Sequence, residues 1–294
     1  MKSPPFDYEA PGSVDGVLAT LSAAPEESTL LAGGQSLMPL LSMRMAQPRV
    51  VVDLNRVEDL DFVERTPEGR IRLGSMVRQR RLETDSGIRE HVPLLAEAAR
   101  HIAHVAIRMR GTLGGSLAHA DPAAELPATL CALDGALIVR GPGGARAIPA
   151  GDFFLGPLTS AVEPGELLTA VEIDPPPDGT GWAFQEVART HGAFALAGVA
   201  ALLRVDGGGG IDFARLALFG VGSAPYVPEW LDQAAIGERP DESLFRSIGE
   251  RVADEVSPFD DIHASADYRK RVAAVLTARA LVEAAGRSNG KGPR

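Results

Sequence analysis

Short apolar runs broken by polar or glycine-rich segments alternate with stretches of helical period from the N-terminus onward, which predicts a chain of mixed strands and helices. The first part reads as strand Phe6–Tyr8, helix Ser13–Ser22, strand Thr29–Leu31, helix Ser36–Met43 and strand Val50–Leu54. Ser13 suits an N-cap, because its hydroxyl can accept from the orphan amides of a first helical turn. A second unit follows: strand Ile71–Leu73, helices Arg78–Thr84, Val92–Ile102 and Ala123–Leu133, then strands Ala136–Arg140 and Leu167–Ile173. Pro175-Pro176-Pro177-Asp178-Gly179 is the strongest break, since consecutive prolines fix an extended backbone and remove ladder donors. Beyond it, strands Ala183–Thr190, Leu196–Val205 and Phe213–Val221 predict an antiparallel sheet, with a hairpin over Gly207–Gly210. Helices Val227–Ala235, Glu242–Glu255 and Ala266–Ala285 would cover one of its faces. The pattern therefore divides the chain into 1–175, itself split at about 57, and 181–286, with a disordered tail at 287–294.

Two glycine-rich segments stand out from this pattern: Leu31-Ala32-Gly33-Gly34-Gln35-Ser36-Leu37-Met38-Pro39, and the run from Ile107 to Pro122 that contains Arg110-Gly111-Thr112-Leu113-Gly114-Gly115-Ser116. Paired glycines let a backbone approach a phosphate, and the hydroxyls of Ser36, Thr112 and Ser116 can donate to its oxygens. Taken singly, each segment reads first as a tight turn, since a Gly-Gly pair after an apolar run is more often that than a binding loop.

Composition narrows the partners. A formal charge of -10 disfavours nucleic acid and anionic membrane surfaces, whose affinity rests on basic faces. No run approaches the ~18 residues of continuous apolar sequence that a membrane helix needs, and the N-terminus lacks a signal peptide's apolar core, so a cytoplasmic protein is expected. The single cysteine, Cys131, reads as a buried small hydrophobe and cannot by itself build a disulfide, a zinc site or an iron–sulfur cluster.

Other constellations carry less. His101 and His104 lie three apart on a predicted helix, but the pattern places no third metal ligand. Gly220-Val221-Gly222-Ser223-Ala224-Pro225 has part of a dinucleotide fingerprint, yet proline replaces its last glycine, and it reads better as a strand-to-helix turn. No nucleophile–base pair is oriented by the sequence.

Both glycine segments resemble the signatures of the FAD-binding medium subunit of the molybdenum hydroxylases, the family of aerobic carbon monoxide dehydrogenase and the xanthine dehydrogenase FAD-binding domain. The resemblance extends to Val51-Val52-Asp53-Leu54-Asn55, Asp152-Phe153-Phe154, Glu166-Leu167-Leu168 and Ser265-Ala266-Asp267-Tyr268-Arg269, in the family's order along nearly the whole chain. It implies an α/β and α+β flavoprotein with the vanillyl-alcohol-oxidase or p-cresol-methylhydroxylase type of FAD-binding fold, two subdomains followed by an antiparallel sheet with helices. It implies FAD held by Ala32, Gly33, Gly34, Gln35, Ser36 and Leu37 on one side and by Thr112, Gly114, Gly115 and Ser116 on the other. Leu113 would supply an apolar contact to the ring, and Asp121 or Glu125 would approach ribityl or ribose hydroxyls; either carboxylate reads equally as a helix N-terminal charge.

The implied role is electron exit. A two-cluster 2Fe–2S small subunit would deliver electrons from a molybdopterin-binding large subunit, and the flavin would pass them to an external acceptor, in a dimer of heterotrimers. One departure bears on the acceptor side: Arg189-Thr190-His191-Gly192-Ala193-Phe194-Ala195 lacks the acidic residue of the family's Arg-x-Gly-Asp-Phe/Tyr-Ala pattern, while Phe194 keeps the aromatic. The alternative reading is a stand-alone FAD-dependent oxidase or dehydrogenase acting on a small molecule, with His191 as candidate base.

Overall fold

The computed structural model describes residues 2–288. Its first unit is a parallel sheet built by two crossovers: β1 (Asp7–Glu9), α1 (Val14–Ala23), β2 (Ser28–Leu31), α2 (Leu37–Ser42) and β3 (Val50–Asp53), in the order β1-β3-β2. Parallel neighbours need a connection long enough to return the chain to the same sheet end, and the two helices supply it. Ser13 caps α1 by accepting from the Gly16 amide at 3.2 Å. Val14, Val17 and Leu21 on the inner face of α1 pack with Val50 and Val52 of β3.

The second unit centres on a five-stranded sheet. In chain order it holds β4 (Val63–Arg65), β5 (Ile71–Gly74), α3 (Gln79–Thr84), α4 (Ser86–His91), α5 (Pro93–His101), α6 (Val105–Arg108), α7 (Leu113–His119) and α8 (Glu125–Ala132). It continues through β6 (Ala136–Gly141), β7 (Gly144–Pro149), α9 (Ala150–Phe153), the hairpin β8 (Phe154–Gly156) and β9 (Thr159–Ser160), and β10 (Leu167–Ile173). The strand order is β4-β5-β10-β6-β7, with β10 antiparallel to both neighbours.

The third unit is the antiparallel sheet β11 (Gly181–Ala188), β12 (Ala195–Val205) and β13 (Ile211–Phe219), followed by α10 (Leu231–Ala235), α11 (Glu242–Glu255) and α12 (Ala266–Ser288). The near-continuous apolar run of β12 follows from burial on both faces. Ala197, Val199, Ala201 and Leu203 pack under α11 and α12, while the alternate residues Ala200 and Leu202 join the core of the second unit. Phe184 and Phe219 stack at 5.6 Å on that same inner side.

The last helix is longer than the sequence pattern indicates, so Arg287 and Ser288 are helical rather than part of a disordered tail. The Arg287 guanidinium lies 3.9 Å over the Trp182 ring, and the Ser288 hydroxyl donates to Gly179 O at 3.0 Å. The remainder of the expected tail, 289–294, lies outside the described residues.

A side chain at Gly198 on β12 has nowhere to go, because its Cβ would stand 2.7 Å from Phe219 Cε2. Gly198→Ala is expected to lower the apparent urea-unfolding stability by about 1–3 kcal/mol, the usual cost of overpacking. Gly207→Ala, in the hairpin with nothing within 4 Å of the added carbon, should leave the midpoint where it is.

Candidate functional site

The two glycine segments meet backbone to backbone. A Cβ on Gly33 would lie 2.8 Å from Gly111 Cα and run into the Arg110 carbonyl, so Gly33 is required by the packing of one segment on the other. Gly34 turns the chain into α2 with φ of +73°, a left-handed conformation that costs glycine nothing. Two side chains brace the junction. Asn55 Nδ2 donates to Ala32 O at 3.0 Å, Arg78 Nη2 donates to Asn55 Oδ1 at 2.6 Å, and Arg78 Nη1 donates to Arg110 O at 2.5 Å. Gln35 turns inward and donates to Gly33 O at 3.1 Å. The carbonyls of Gly34 and Ser36 accept from Met38 and Leu40, while the amides from Gly33 to Ser36 have no backbone acceptor among the described residues. Ser36 is exposed and its hydroxyl makes no capping bond. An anion could take up these donors without competing with the fold.

The second segment differs from the loop that its glycines suggest: residues 113–119 form α7. Thr112 is its N-cap and accepts from the Gly115 amide at 3.0 Å. The Leu113 amide donates to Val77 O, that of Gly114 to Ser75 O at 2.8 Å and that of Ser116 to Thr112 O. The amides of Gly114, Gly115 and Ser116 are therefore used within the fold, while the Thr112 hydroxyl accepts from Gly115 and keeps its own proton to donate. The Leu113 side chain is fully buried in the second core. Gly114 is wedged against Ser75, with a built Cβ 2.5 Å from Ser75 Cβ. Gly115 stays half-exposed beside Ala32, 3.5 Å from Cβ to Cβ, and Ser116 lies next to it.

The approach to α7 is pinned by a buried ion pair. Arg108 sits 3.1 Å from Glu83 and donates to Ile102 O at 2.7 Å and Ala103 O at 3.0 Å. Past α7, Asp121 accepts from the Ala123 amide at 2.8 Å and so shapes the turn into α8. Glu125 opens α8 and is half-buried; burial pushes its carboxyl up to about 7, with the nearby charge of Glu186 adding to the rise. Asp121 lies just past the C-terminal end of α7, and Glu125 begins α8. His191 is exposed, with its ring 5.4 Å from that of His104, and Phe194 is 71% exposed.

Asn55, Arg78, Ser75 and Gln79 were not singled out by the sequence as site residues, although Asn55 closes the Val51–Asn55 run. Ser75 Oγ and Gln79 Oε1 are buried beside the glycines with no partner among the described residues. Among those residues no cluster of His, Cys, Asp or Glu has the arrangement to hold a metal, and no helix is long and apolar enough to cross a membrane. Burial pushes the Cys131 thiol up to about 12.

This geometry, two glycine segments docked at the mouth of a sheet with unspent amides, is that of a protein that binds a phosphate-bearing cofactor. The chain belongs to the family described as the FAD binding domain in molybdopterin dehydrogenase, matched over residues 4–176. Residues 182–284 match the CO dehydrogenase flavoprotein C-terminal domain. The 6-hydroxypseudooxynicotine dehydrogenase complex subunit alpha of Paenarthrobacter nicotinovorans is 37% identical over 97% of this chain and 96% of its own length. Among solved structures, carbon monoxide dehydrogenase from Hydrogenophaga pseudoflava superimposes with a TM-score of 0.95 at 33% identity, covering 98% of this chain and 99% of that one. Quinoline 2-oxidoreductase from Pseudomonas putida 86 gives 0.93 at 37% identity over 99% of both chains. The cofactor of the family is FAD.

Arg78→Met removes both guanidinium bonds that tie the segments together. Loss of charged hydrogen bonds worth about 1.5–3 kcal/mol is expected to speed exchange of the hydrogen-bonded amides of Arg110, Gly111, Leu113 and Gly114 by roughly ten- to a hundredfold, read by hydrogen–deuterium exchange mass spectrometry. Exchange in β12 should not change.

Proposed function

We propose that this chain is the FAD-binding electron-transfer subunit of a molybdenum hydroxylase, taking electrons from an iron–sulfur subunit and passing them to an external acceptor. The observation that carries the reading is the junction of the glycine segments, combined with relatives that align from end to end. We read 1–175 as the FAD-binding domain, with subdomains at about 1–57 and 58–175 in the vanillyl-alcohol-oxidase manner, and 181–286 as the flavoprotein C-terminal domain.

The residues present fit the cofactor. Free amides from Gly33 to Ser36 and the Ser36 hydroxyl would hold the pyrophosphate, with Ala32, Gln35 and Leu37 shaping that turn. Gly115 and Ser116 would close the same pocket from α7, with Thr112, Leu113 and Gly114 acting through the backbone they organise. Asp121 or Glu125 would approach the ribityl or ribose hydroxyls. Bound FAD supplies the redox chemistry; the protein's task is to bind it, exclude water and orient it. That division of labour suits a chain in which the candidate base His191 stands exposed.

The proposed partners are a two-cluster 2Fe–2S small subunit and a molybdopterin-binding large subunit, assembled as a dimer of heterotrimers. The molybdenum partner is supported by the likeness to carbon monoxide dehydrogenase of Hydrogenophaga pseudoflava, described in a form that lacks the Mo-pyranopterin moiety of its molybdenum cofactor.

The purified chain should be yellow, with noncovalent FAD visible as two absorption bands. Gly34→Val and Gly115→Val should each lose the cofactor: the first strains a left-handed turn, and the second drives a branched side chain into Thr112 Oγ1, 2.7 Å from the built Cβ. Full flavin occupancy in both folded variants would place the pyrophosphate elsewhere.

Co-expression with ferredoxin-like and molybdopterin subunits from adjacent reading frames should give a co-purifying complex whose flavin is reduced by substrate only when all three subunits are present. Rapid reduction of the isolated chain by a small organic substrate would favour the stand-alone oxidase.

A further inference from the structure

One ionic cluster lies outside the glycine junction and joins two units of the fold. His101, at the end of α5, has Nδ1 3.3 Å from Glu186 Oε1 on β11 and Nε2 3.6 Å from Glu97 Oε1 on its own helix. Its ring leans on Phe184 of β11 at 4.8 Å. Glu125 is close enough to His101 and Glu186 to feel both charges, and Asp121 adds a third. The second Glu186 oxygen is buried without a partner among the described residues. The same turn is tied to the C-terminal sheet again where Gly220 N donates to Pro122 O at 2.8 Å.

The geometry constrains the proton count. A neutral imidazole has one donor and one acceptor, so with carboxylates at both nitrogens it would turn a lone pair toward one of them. Only the imidazolium faces both with N–H. The remaining charges do not replace it: Arg100 pairs with the solvent side of Glu97 at 3.2 Å, and Arg287 on α12 pairs with Glu283.

We propose that His101, carried as an imidazolium between Glu97 and Glu186, is a positioning residue of the flavin site, clamping β11 onto α5 and so fixing the turn at Asp121–Ala124 where the second glycine segment ends. The proposal rests on the reading of that segment as part of the FAD site.

The pH window follows. The carboxylates of Glu186 and then Glu97 raise the His101 pKa from 6.5 to about 9, above its unfolded value. The clamp's contribution is therefore complete below about 6.5 and is lost as pH rises through 9. Glu125, raised from 4.5 to about 7, loses its contribution at lower pH, between those values, so the two effects separate.

The test uses the flavin-loaded protein between pH 7.5 and 10. Carbon-13 NMR of labelled histidine should show one imidazole titrating near 9, falling toward the ordinary range in Glu186→Gln, which keeps the side chain's volume. The rate of FAD release, read by the fluorescence of freed flavin, should rise on the order of tenfold across a midpoint near 9. His101→Gln should release fast at every pH with no step, and His101→Lys, which keeps a cation, should restore slow release and move the step upward. Wild-type release without a step near 9, or His101→Gln releasing at the wild-type rate, would overturn the clamp. Should the chain hold no FAD at all, the functional reading fails first. Amide exchange over 120–126 in the flavin-free protein then decides the clamp alone: unchanged protection in His101→Gln rejects it.

Discussion

The site depends on one steric constraint, the absence of a side chain at Gly33 where its backbone lies on Arg110 and Gly111. The first segment follows a strand of the parallel sheet, and the second lies between α6 and α7 in the unit built on the antiparallel sheet. The first turn by itself is an ordinary strand-to-helix connection, and the second joins two helices. Only when the units dock do the free amides of the first come beside Gly115 and Ser116 of the second, so assembling the core and assembling the binding surface are one event. Arg78 and Asn55 secure the junction through carbonyls rather than side chains, which leaves the outward-facing donors unspent.

The C-terminal sheet is part of the same construction. Because β12 is apolar on both faces, it gives half its side chains to the helices above and half to the core that holds α5 and α8. A strand used in this way cannot shift by one residue without exchanging its two faces, so the register that packs α12 also sets where β11 meets His101. The turn between α7 and α8 is thus located from both sides, by Arg108 with Glu83 before α7 and by Gly220 and Glu186 after it.

The main strands were legible because their apolar periods are strong: β2, β3, β5, β6, β10, β12 and β13 fall within a few residues of the expected runs. What escaped had weak or misleading local signals. The strand β7 is an edge with nearly every side chain exposed, so it has no apolar face to detect. The helix α7 begins with Leu113-Gly114-Gly115, residues that argue against a helix locally, and it forms because Thr112 caps it and Leu113 and Leu117 are buried. The glycines themselves were found for a reason that is only half of theirs: Gly33, Gly111 and Gly114 make room for protein, while Gly34 and Gly115 border the open side. Asn55 and Arg78 could not be read at all, since their role exists only between segments distant in sequence.

The same logic explains how basic residues are spent in an acidic chain. Of 29 Lys and Arg, only Lys2, Lys270 and Lys291 are lysines. Arginines end on backbone carbonyls: Arg108 on Ile102 and Ala103, Arg269 on Leu196 at 2.5 Å and Gly220 at 3.4 Å, Arg146 on Ala161 at 2.8 Å, Arg287 on Trp182 at 2.6 Å. A guanidinium reaches two acceptors in fixed directions, and all four of these also pair with a carboxylate: Glu83, Asp261, Glu166 and Glu283 respectively. An ammonium would neutralise the acid without fixing the carbonyl. Where a cofactor carries the chemistry, the protein contributes the stillness of the loops around it, and in this fold that stillness is built from arginine and from the missing side chain of Gly33.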